Sequence, residues 1–261
     1  MAAAYDSFDY EDYWKGRDYE HYSELYALRE FLSKIKKLGT IADIGCGYGR
    51  ITPSYINRAK RVIFTDPSAS LLKDLRKNLE FIKKQQSYSA KTKIIQGSIE
   101  NLPGKIRKNT IDLVILVRVL HHINEPEKAI EIVSTFLRPG GYIILEFPNK
   151  LHGKALFKNI IHGNVTYPLE IFPLDKRSPK NIKKKTLPFM NYHPDSVLKC
   201  LKDNRFDIVS VRSVSNIRSD KLKKNIPLDT LITIEKALQL PLSKIFFGPS
   251  IFILAKKKFD K

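Results

Sequence analysis

The stretch Thr40-Ile-Ala-Asp-Ile-Gly-Cys-Gly-Tyr-Gly-Arg50 decides the fold of this chain. Ile41, Ala42 and Ile44 form a nearly continuous apolar run, which is typical of a strand buried on both faces of a parallel sheet. The glycines that follow lack a Cβ atom, so the backbone can adopt positive φ and approach a ligand closely. Pro53 is tolerated at the start of a helix, and we predict one that begins near residues 52 and 53. Together these features predict a nucleotide-sized site at the carboxyl edge of the sheet.

The spacing of the glycines bears on the kind of ligand. A dinucleotide-binding turn has the pattern G-x-G-x-x-G, whereas this chain has G-x-G-x-G followed by Arg50. A tight turn with no ligand is the alternative. However, Arg61 to Asp66 predicts a second strand that ends in a carboxylate. An acid about twenty residues after the glycine turn can accept hydrogen bonds from both ribose hydroxyls. This favours a ligand that contains a nucleoside.

Length, charge and cysteines narrow the class of protein. The chain has 261 residues and a formal net charge of +19. No apolar run reaches the ~18 residues that span a membrane. We find no apolar region typical of a signal peptide, so we expect a soluble, cytoplasmic protein. Cys46 and Cys200 form neither a disulfide framework nor a metal-binding spacing. The charge suits nucleic acid or anionic membranes, and lysines spread over solvated faces are the alternative.

Strand and helix patterns alternate along most of the chain. We predict helices over about 18–37, 68–84 and 194–206, and another whose apolar face ends at Leu137, before the turn Arg138-Pro-Gly-Gly141. Further strands are predicted over residues 93–98, 111–117, 142–147, 207–213 and 250–255. Such alternation predicts an α/β fold with a largely parallel sheet and helices on both faces.

Five segments of the chain resemble the class I S-adenosylmethionine-dependent methyltransferases, and more closely the small-molecule branch that includes quinone methyltransferases. The segments are Asp43 to Gly49, Asp66, Gly97 to Pro103, the strand from Asp112 that ends in Val119-Leu-His-His-Ile123, and Leu137 to Leu145. They cover roughly residues 38 to 147 in the order and spacing of that family. The resemblance implies a Rossmann-like sheet of seven strands, the last antiparallel, and S-adenosyl-L-methionine as the cofactor.

The resemblance also implies which residues hold the cofactor. The backbone from Gly45 to Gly49 would face the methionine part, Asp66 would hold the ribose, and Ser98 with Ile99 would bracket the adenine. The family usually has Asp at the position of Ser98, and a serine hydroxyl accepts from the adenine amino group more weakly. Arg118 ends an apolar strand and needs a partner, either the cofactor carboxylate or an acid of the N-terminal segment. The predicted cofactor residues are Arg17, Asp43, Gly45, Cys46, Gly47, Asp66, Pro67, Ser98, Ile99 and Arg118.

Three histidines are candidate catalytic bases. Methyl transfer from a sulfonium depends mainly on positioning, so a base is optional. His121 and His122 follow the fourth strand at its carboxyl end, where either can take a proton from a hydroxyl acceptor. His193 follows the basic segment described below. For each of the three, the alternative is a packing histidine that hydrogen-bonds a carbonyl. We predict no metal site.

The N-terminal segment, residues 1–37, is rich in tyrosine and includes the single tryptophan, Trp14. We predict that Tyr13, Trp14 and Arg17 close over the cofactor as a lid, with Arg17 pairing with the cofactor carboxylate. The alternative is that these aromatic side chains cap the edge of the core.

Two segments lie outside the alternating pattern that surrounds the cofactor-binding core, residues 38–149. Residues 150–193 carry nine Lys and Arg against Glu170 and Asp175, and we predict that they form a mobile basic cover over an acceptor pocket. Residues 194–261 complete the sheet and contain a helical insertion at 216–248. Because the cover presents lysines between apolar residues, it suits an anionic acceptor or an anionic membrane surface. RNA binding and a solvated loop without function are the alternatives.

These patterns predict an S-adenosylmethionine-dependent methyltransferase that acts on a small-molecule or lipid-like acceptor by in-line methyl transfer. An RNA methyltransferase that uses the basic surface is the first alternative, although we find no RNA-binding module outside the core. A noncatalytic S-adenosylmethionine-binding interaction protein is the second. The sequence does not identify the acceptor atom or the oligomeric state.

Overall fold

The computed structural model describes residues 10–36, 38–123, 125–184 and 186–259. Within these ranges the longer strands form one seven-stranded sheet, and two short strands form a separate hairpin. In chain order the strands are β1 (Leu38–Ile44), β2 (Ala59–Asp66), β3 (Lys91–Gln96), β4 (Ile111–Leu116), β5 (Leu137–Pro148), β6 (Leu174–Asp175), β7 (Met190–Asn191), β8 (Phe206–Val214) and β9 (Ser250–Lys257).

The order of strands in the large sheet is β3-β2-β1-β4-β5-β9-β8. Strands β1 to β5 are parallel to one another, and β9 runs antiparallel to both β5 and β8. The Rossmann-like, seven-stranded sheet with an antiparallel last strand is therefore confirmed. The chain moves outward from β1 through β2 to β3 and then crosses to β4 on the other side of β1. Ligands of open α/β sheets bind at such a switch point, outside the carboxyl ends of the strands.

Helices cover both faces of the sheet because alternate residues of each strand point to opposite sides. Ala42 and Ile44 pack in a core with α4 and α7, whereas Ile41 packs in a second core with α2 and α3. The described helices are α1 (Tyr10–Trp14), α2 (Asp18–Ser33), α3 (Ala69–Gln85), α4 (Pro126–Phe136), α5 (Gly153–Ile161), α6 (Pro179–Lys183), α7 (Pro194–Asp203), α8 (Asp220–Asn225) and α9 (Leu228–Ser243). None of them has the length and apolar character that a membrane-crossing helix requires.

The segment after the glycine turn differs from the prediction. Instead of an α-helix that begins near residue 52, it forms two short 3-10 turns, Thr52–Ser54 and Ile56–Arg58. Strand β2 starts at Ala59, directly after the second turn, so a longer helix has no room. The Tyr55 hydroxyl also donates a hydrogen bond to Asp43 on β1, which fixes the second turn against the sheet. The predicted helix N-terminus at the ligand site is therefore wrong.

Three other boundaries of helices and strands differ from the predicted ones. Helix α2 ends at Ser33 rather than near residue 37, and Gly39 lies inside β1, where its N–H donates to Asp112 Oδ2 at 3.0 Å. The turn at Arg138 belongs to β5, because Leu137 pairs with Ile111 before the register shifts. Helix α7 ends at Asp203, short of the predicted residue 206.

The predicted helical insertion at 216–248 contains α8 and α9, and it anchors helix α2. Glu235 of α9 is fully buried and accepts hydrogen bonds from Tyr19 Oη (2.5 Å), Ser215 N (2.8 Å) and Asn216 N (3.0 Å). Because Tyr19 lies at the start of α2, this network fixes the entry of α2 onto the sheet. The first nine residues of the predicted lid lie outside the described part of the chain.

Candidate functional site

A cavity of about 420 Å³ opens at the carboxyl ends of β1, β2 and β4. This volume lies within the range of roughly 300–1,000 Å³ that is usual for small-molecule sites. The cavity brings together nine residues that the sequence assigned to cofactor binding. They are Asp43, Gly45, Cys46, Gly47, Asp66, Pro67, Ser98, Ile99 and Arg118. Their roles in binding remain predictions, but all nine line the same cavity.

The glycine turn is tied to the end of β2. The N–H groups of Gly45 and Cys46 donate to the carbonyl of Thr65 at 2.7 and 3.0 Å. Gly45 has a φ of +70°, and a Cβ atom built there would lie 2.3 Å from Val119 Cγ2. Glycine is thus required here both for the left-handed backbone and for the close approach of the loop that follows β4.

Asp66 both organises the turn and faces the cavity. Its carboxylate accepts hydrogen bonds from Gly47 N at 2.9 Å and Ser68 N at 2.8 Å. A carboxylate has about four lone-pair positions, so it can accept ligand hydroxyls in addition to these backbone donors. The geometry fits the predicted role as the ribose acceptor.

Asp43 lies on the floor of the cavity beside Tyr55. Its side chain is buried and accepts a hydrogen bond from the Tyr55 hydroxyl. Burial raises the pKa of Asp43 to about 7, and the nearby Asp66 adds to the rise, while the hydrogen bond from Tyr55 opposes it. The floor therefore changes charge near neutral pH. Burial also raises the pKa of the Cys46 thiol, which keeps this cavity-wall cysteine protonated.

We expect the substitution Asp43→Asn to change how stability depends on pH. The pKa is raised on folding, so its contribution to stability is present below the unfolded value of about 4 and lost as the pH rises through the folded value. An amide does not ionise. Relative to the parent, the variant should therefore gain on the order of 2–4 kcal/mol between pH 4 and pH 8.5. Urea unfolding across this range measures the difference, and a pH-independent difference would contradict the assignment.

Two arginines line the side of the cavity next to α2 and share one buried glutamate of that helix. Arg118 Nε donates to Glu24 Oε1 at 2.8 Å, and Arg50 Nη2 donates to Glu24 Oε2 at 2.5 Å. Burial alone would raise the pKa of Glu24, but the charges of Arg118 and Arg50 outweigh it and lower that pKa. One carboxylate thus lies between two guanidinium groups, both of which line the cavity. The two guanidinium groups and the Glu24 carboxylate together carry one positive charge in excess, which suits a ligand carboxylate.

The backbone of Arg118 is held in an unusual conformation. Its φ is +61°, and its N–H donates to Glu146 Oε2 at 2.9 Å. Glu146 is fully buried; burial raises its pKa, although the charge of Arg118 opposes this. In this structure the predicted partner of Arg118 is an acid of the N-terminal segment, namely Glu24 of α2.

The N-terminal segment reaches this arginine pair through Trp14 rather than through Arg17. Trp14 is buried, and the Arg50 guanidinium carbon lies 3.6 Å from its ring centroid. Arg17 is exposed, stacks on the Tyr13 ring at 4.2 Å and does not line the cavity. In this structure the predicted pairing of Arg17 with the cofactor carboxylate therefore has no geometric support, because the arginines that line the cavity are Arg50 and Arg118. Closure of the segment as a lid remains a prediction.

Of the three candidate histidines, His122 is the one that lines the cavity. His121 is buried beside it, with ring centroids 3.8 Å apart, and burial lowers its pKa well below the usual range. His193 is also buried: its Nδ1 caps α7 by accepting from Asp195 N, and its Nε2 lies 3.0 Å from Pro168 O. Neither His121 nor His193 lines the cavity, so the structure gives them no geometric support as catalytic bases, and both assignments stay predictions.

Sequence reasoning missed several groups that shape the site. Glu24 was hidden on the apolar face of α2, four residues before Leu28, and a carboxylate at such a position signals a buried partner. Arg50 was noted only because it departs from the dinucleotide pattern. Tyr55 falls within the helix that was predicted to begin near residue 52, so no contact with Asp43 was expected. Leu187, which lines the cavity from the basic segment, had no recognisable signal.

Comparison with known proteins identifies the type of domain. Residues 42–145 match a family model described as a methyltransferase domain. The chain is similar to an uncharacterized methyltransferase of Schizosaccharomyces pombe, with 36% identity over 119 residues that cover 43% of this chain and 41% of that protein. The chain thus spans less than half the length of this relative.

Two other relatives have more specific names. The tRNA 5-carboxymethoxyuridine methyltransferase of Escherichia coli is 23% identical over 224 residues, 85% of this chain and 81% of that enzyme. The ubiquinone/menaquinone biosynthesis C-methyltransferase UbiE of Citrobacter koseri is 29% identical over 145 residues, 54% of this chain and 53% of that enzyme. Their acceptors differ, so these similarities do not define one for this chain.

The fold also matches a solved structure over nearly its whole length. A SAM-dependent methyltransferase from Thermotoga maritima superposes with a TM-score of 0.62 and 17% identity, and the match covers 98% of each chain. At this identity the likeness extends to the fold alone.

Proposed function

We propose that this chain, whose residues 42–145 match a methyltransferase domain, is a class I S-adenosylmethionine-dependent methyltransferase. It methylates an apolar small-molecule or lipid-like acceptor that binds between His122 and the segment 150–193. The observation that carries the proposal is the composition of the cavity at the His122 end. Val119, Ile123 and Leu187 line it there, beside the imidazole. An apolar wall with a few directed polar groups is typical of sites for small organic ligands.

The opposite part of the cavity has the charges and hydrogen-bonding groups that the cofactor needs. The excess positive charge of Arg50 and Arg118 suits the single carboxylate of the methionine part. Asp66 can accept from the ribose hydroxyls, and Ser98 with Ile99 can bracket the adenine ring. When bound there, S-adenosylmethionine supplies an electrophilic methyl group, and its sulfur leaves as a neutral thioether when an acceptor atom displaces it.

His122 is placed to accept the proton that such an acceptor loses. Its Nδ1 lies 2.8 Å from the carbonyl oxygen of Pro188. In the neutral imidazole this contact puts the proton on Nδ1, which leaves Nε2 as the basic nitrogen. Burial lowers the pKa of His122, against the effect of the Pro188 carbonyl, so the neutral base form dominates at neutral pH. The segment 150–193 thus sets the tautomer of the candidate base.

Incubating the protein with methyl-labelled S-adenosylmethionine and a cell extract tests the proposal. We expect label in the organic-soluble fraction, and the labelled compound then serves as the acceptor for kinetics. Label confined to RNA would refute the proposal in favour of an RNA methyltransferase. Cofactor binding without label in any fraction would instead favour the noncatalytic alternative.

We expect His122→Gln to lower kcat about 10²- to 10⁴-fold with little change in cofactor affinity, the range typical of a lost general base. The parent rate should fall only at pH values below the usual imidazole range, because burial lowers the pKa at which the base becomes protonated. Steady-state kinetics with the identified acceptor measure both effects. A kcat for His122→Gln within about threefold of the parent would show that positioning alone is sufficient.

RNA methylation is the second candidate because a specific surface favours it. A groove of about 370 Å³ beside the edge strand β3 is lined by five cations and no carboxylate. The cations are Arg61, Lys91, Lys93, Lys105 and Arg107. Phosphate contacts of this kind contribute most of the sequence-independent affinity for nucleic acid. The groove has no aromatic lining on which bases could stack, so the apolar acceptor remains the first proposal.

A further inference from the structure

The segment 150–193 exposes an unusual amount of apolar surface. Ten of the nineteen exposed large apolar side chains among the described residues lie in this segment. Phe157, Leu169 and Phe172 are 69%, 78% and 77% exposed. Apolar exposure concentrated in one part of a soluble chain indicates an interaction surface. The ten residues are Phe157, Ile160, Ile161, Val165, Leu169, Ile171, Phe172, Leu174, Ile182 and Phe189.

Helix α5 shows how this surface is built. None of its residues is buried. The positions Lys154, Phe157, Lys158 and Ile161 have the spacing of one helix face, and all four side chains are exposed. Lysine chains beside exposed apolar groups can hold their ammonium groups at a polar boundary while the apolar groups enter an apolar layer. This face of α5 therefore presents both the apolar side chains and the cationic groups that a membrane-surface helix needs.

The exposed side chains project from a fixed base. Lys150 is buried, and its Nζ donates to the carbonyls of Glu170 at 2.6 Å and Phe172 at 3.1 Å. Tyr167 Oη donates to Lys150 O at 3.0 Å. These bonds hold the turn that carries Leu169 and Phe172, so its apolar side chains are presented outward by an anchored backbone.

The charge of the segment identifies the occupant as anionic. Both of its acids are already engaged: Asp175 is paired with Arg177, and Glu170 lies 3.4 Å from Lys150. No ion pair involving Lys154, Lys158, Lys180, Lys183 or Lys184 is found within the described ranges. A second copy of this chain, with a formal net charge of +19, would repel this surface. The predicted cation Lys185 lies outside the described residues.

The apolar side chains distinguish a lipid surface from RNA. Single-stranded RNA binds by stacking its bases on aromatic rings. Here seven of the ten exposed groups are aliphatic, from Ile160 and Ile161 through Val165 and Leu169 to Ile182. Branched aliphatic groups suit the acyl boundary of a bilayer, and neighbouring lysines suit its anionic headgroups. The RNA-compatible groove lies elsewhere, beside β3.

We propose that the exposed face of residues 153–184 docks the protein on an anionic lipid bilayer. This deepens the proposed function and rests on it, because docking would bring the cavity behind Leu187 and Pro188 to the surface from which a lipid-like acceptor enters. The chain remains peripheral, with only side chains of this face entering the headgroup region.

Sedimentation of the full chain with vesicles tests the docking. Vesicles of phosphatidylcholine alone are compared with vesicles that also contain phosphatidylserine, and we expect binding to the second kind. The variant Phe157→Ser/Ile161→Ser/Phe172→Ser and the variant Lys154→Gln/Lys158→Gln/Lys183→Gln should each lose at least about tenfold in affinity. All six side chains are exposed, so the melting temperature should remain close to that of the parent.

Matched variants on other surfaces serve as controls. Phe81→Ser/Phe259→Ser removes side chains that are 60% and 65% exposed, on α3 and beside Gly140 near the start of β5. Arg61→Gln/Lys91→Gln/Lys93→Gln removes three charges from the β3 groove. Both controls should bind vesicles within about twofold of the parent. An equal loss in the controls, no binding by the parent, or unchanged binding by both face variants would overturn the docking proposal.

Two further measurements separate the docking from the proposed function and from RNA. Calorimetric affinity for S-adenosylmethionine should be the same in parent and face variants. Lipid methylation by a parent that fails to bind vesicles would overturn the docking and keep the function. Vesicle binding with no label in the organic-soluble fraction would support the docking and overturn the function. A salt-steep RNA affinity that disappears in the lysine variant of this face would assign the surface to RNA and overturn the docking.

Discussion

Replacing Glu24 with glutamine is expected to lower the free energy of unfolding by about 3–5 kcal/mol, because the substitution leaves the guanidinium groups of Arg50 and Arg118 without their shared carboxylate. Glu24 is 1% exposed, and the side chains of Arg50 and Arg118 are 10% and 21% exposed, so water compensates little. Urea unfolding at pH 7 measures the loss.

Two comparisons show whether the effect comes from the buried charges. Asp74→Asn breaks an exposed pair with Lys77 and should cost less than about 0.5 kcal/mol. The double variant Glu24→Gln/Arg118→Met also removes one of the two buried guanidinium groups that lost their carboxylate, and it should recover part of the stability. The pKa of Glu24 is lowered on folding, so its contribution is present above the unfolded value of about 4 and is lost in acid. A cost that persists unchanged at pH 3 would contradict the charge explanation.

Replacing Asp66 with alanine is expected to weaken binding of S-adenosylmethionine by at least about 100-fold, since two ribose hydroxyls lose a charged acceptor. The substitution also removes the acceptor for Gly47 N and Ser68 N, so the glycine turn loses its attachment to β2. Isothermal titration calorimetry with the cofactor measures the affinity.

The matched control for this substitution is Glu125→Gln, which removes another carboxylate from the cavity wall. Glu125 is exposed and pairs only loosely with Lys128, at 3.5 Å, so its removal should change affinity by less than about threefold. Asp66→Asn keeps one acceptor oxygen and should give an intermediate affinity. Binding by Asp66→Ala at the parental affinity would exclude Asp66 as the ribose acceptor.

The sequence was most informative where local patterning and burial agree. The apolar run Ile41 to Ile44 and the glycines after it placed the central strand and the cavity together, because a strand buried on both faces must lie in the middle of a parallel sheet. The carboxylate at the end of β2 was identified by its position alone. Nine residues that were predicted to hold the cofactor line one cavity at the switch point between β1 and β4.

Local sequence patterns did not show where neighbouring elements limit a segment or which residues a side chain contacts. The segment after the glycine turn has an apolar spacing that suits a helix, yet the early start of β2 compresses it into two 3-10 turns. Arg17 and His193 have residue types that suit the chemistry, but the chain directs them elsewhere: Arg17 stacks on Tyr13, and His193 caps α7.

The sequence by itself determined the sheet, the order of its elements and the position of the nucleoside-binding edge, because these depend on periodicity and on glycine and carboxylate positions along the chain. Only the tertiary structure decided which charges meet at that edge. Glu24 lies 94 residues from Arg118 and 26 from Arg50, yet α2 brings it between both guanidinium groups. Likewise, the Pro188 carbonyl lies 2.8 Å from His122 Nδ1 although the two residues are 66 positions apart in the chain. Such pairings result from packing between distant elements, which no local pattern encodes.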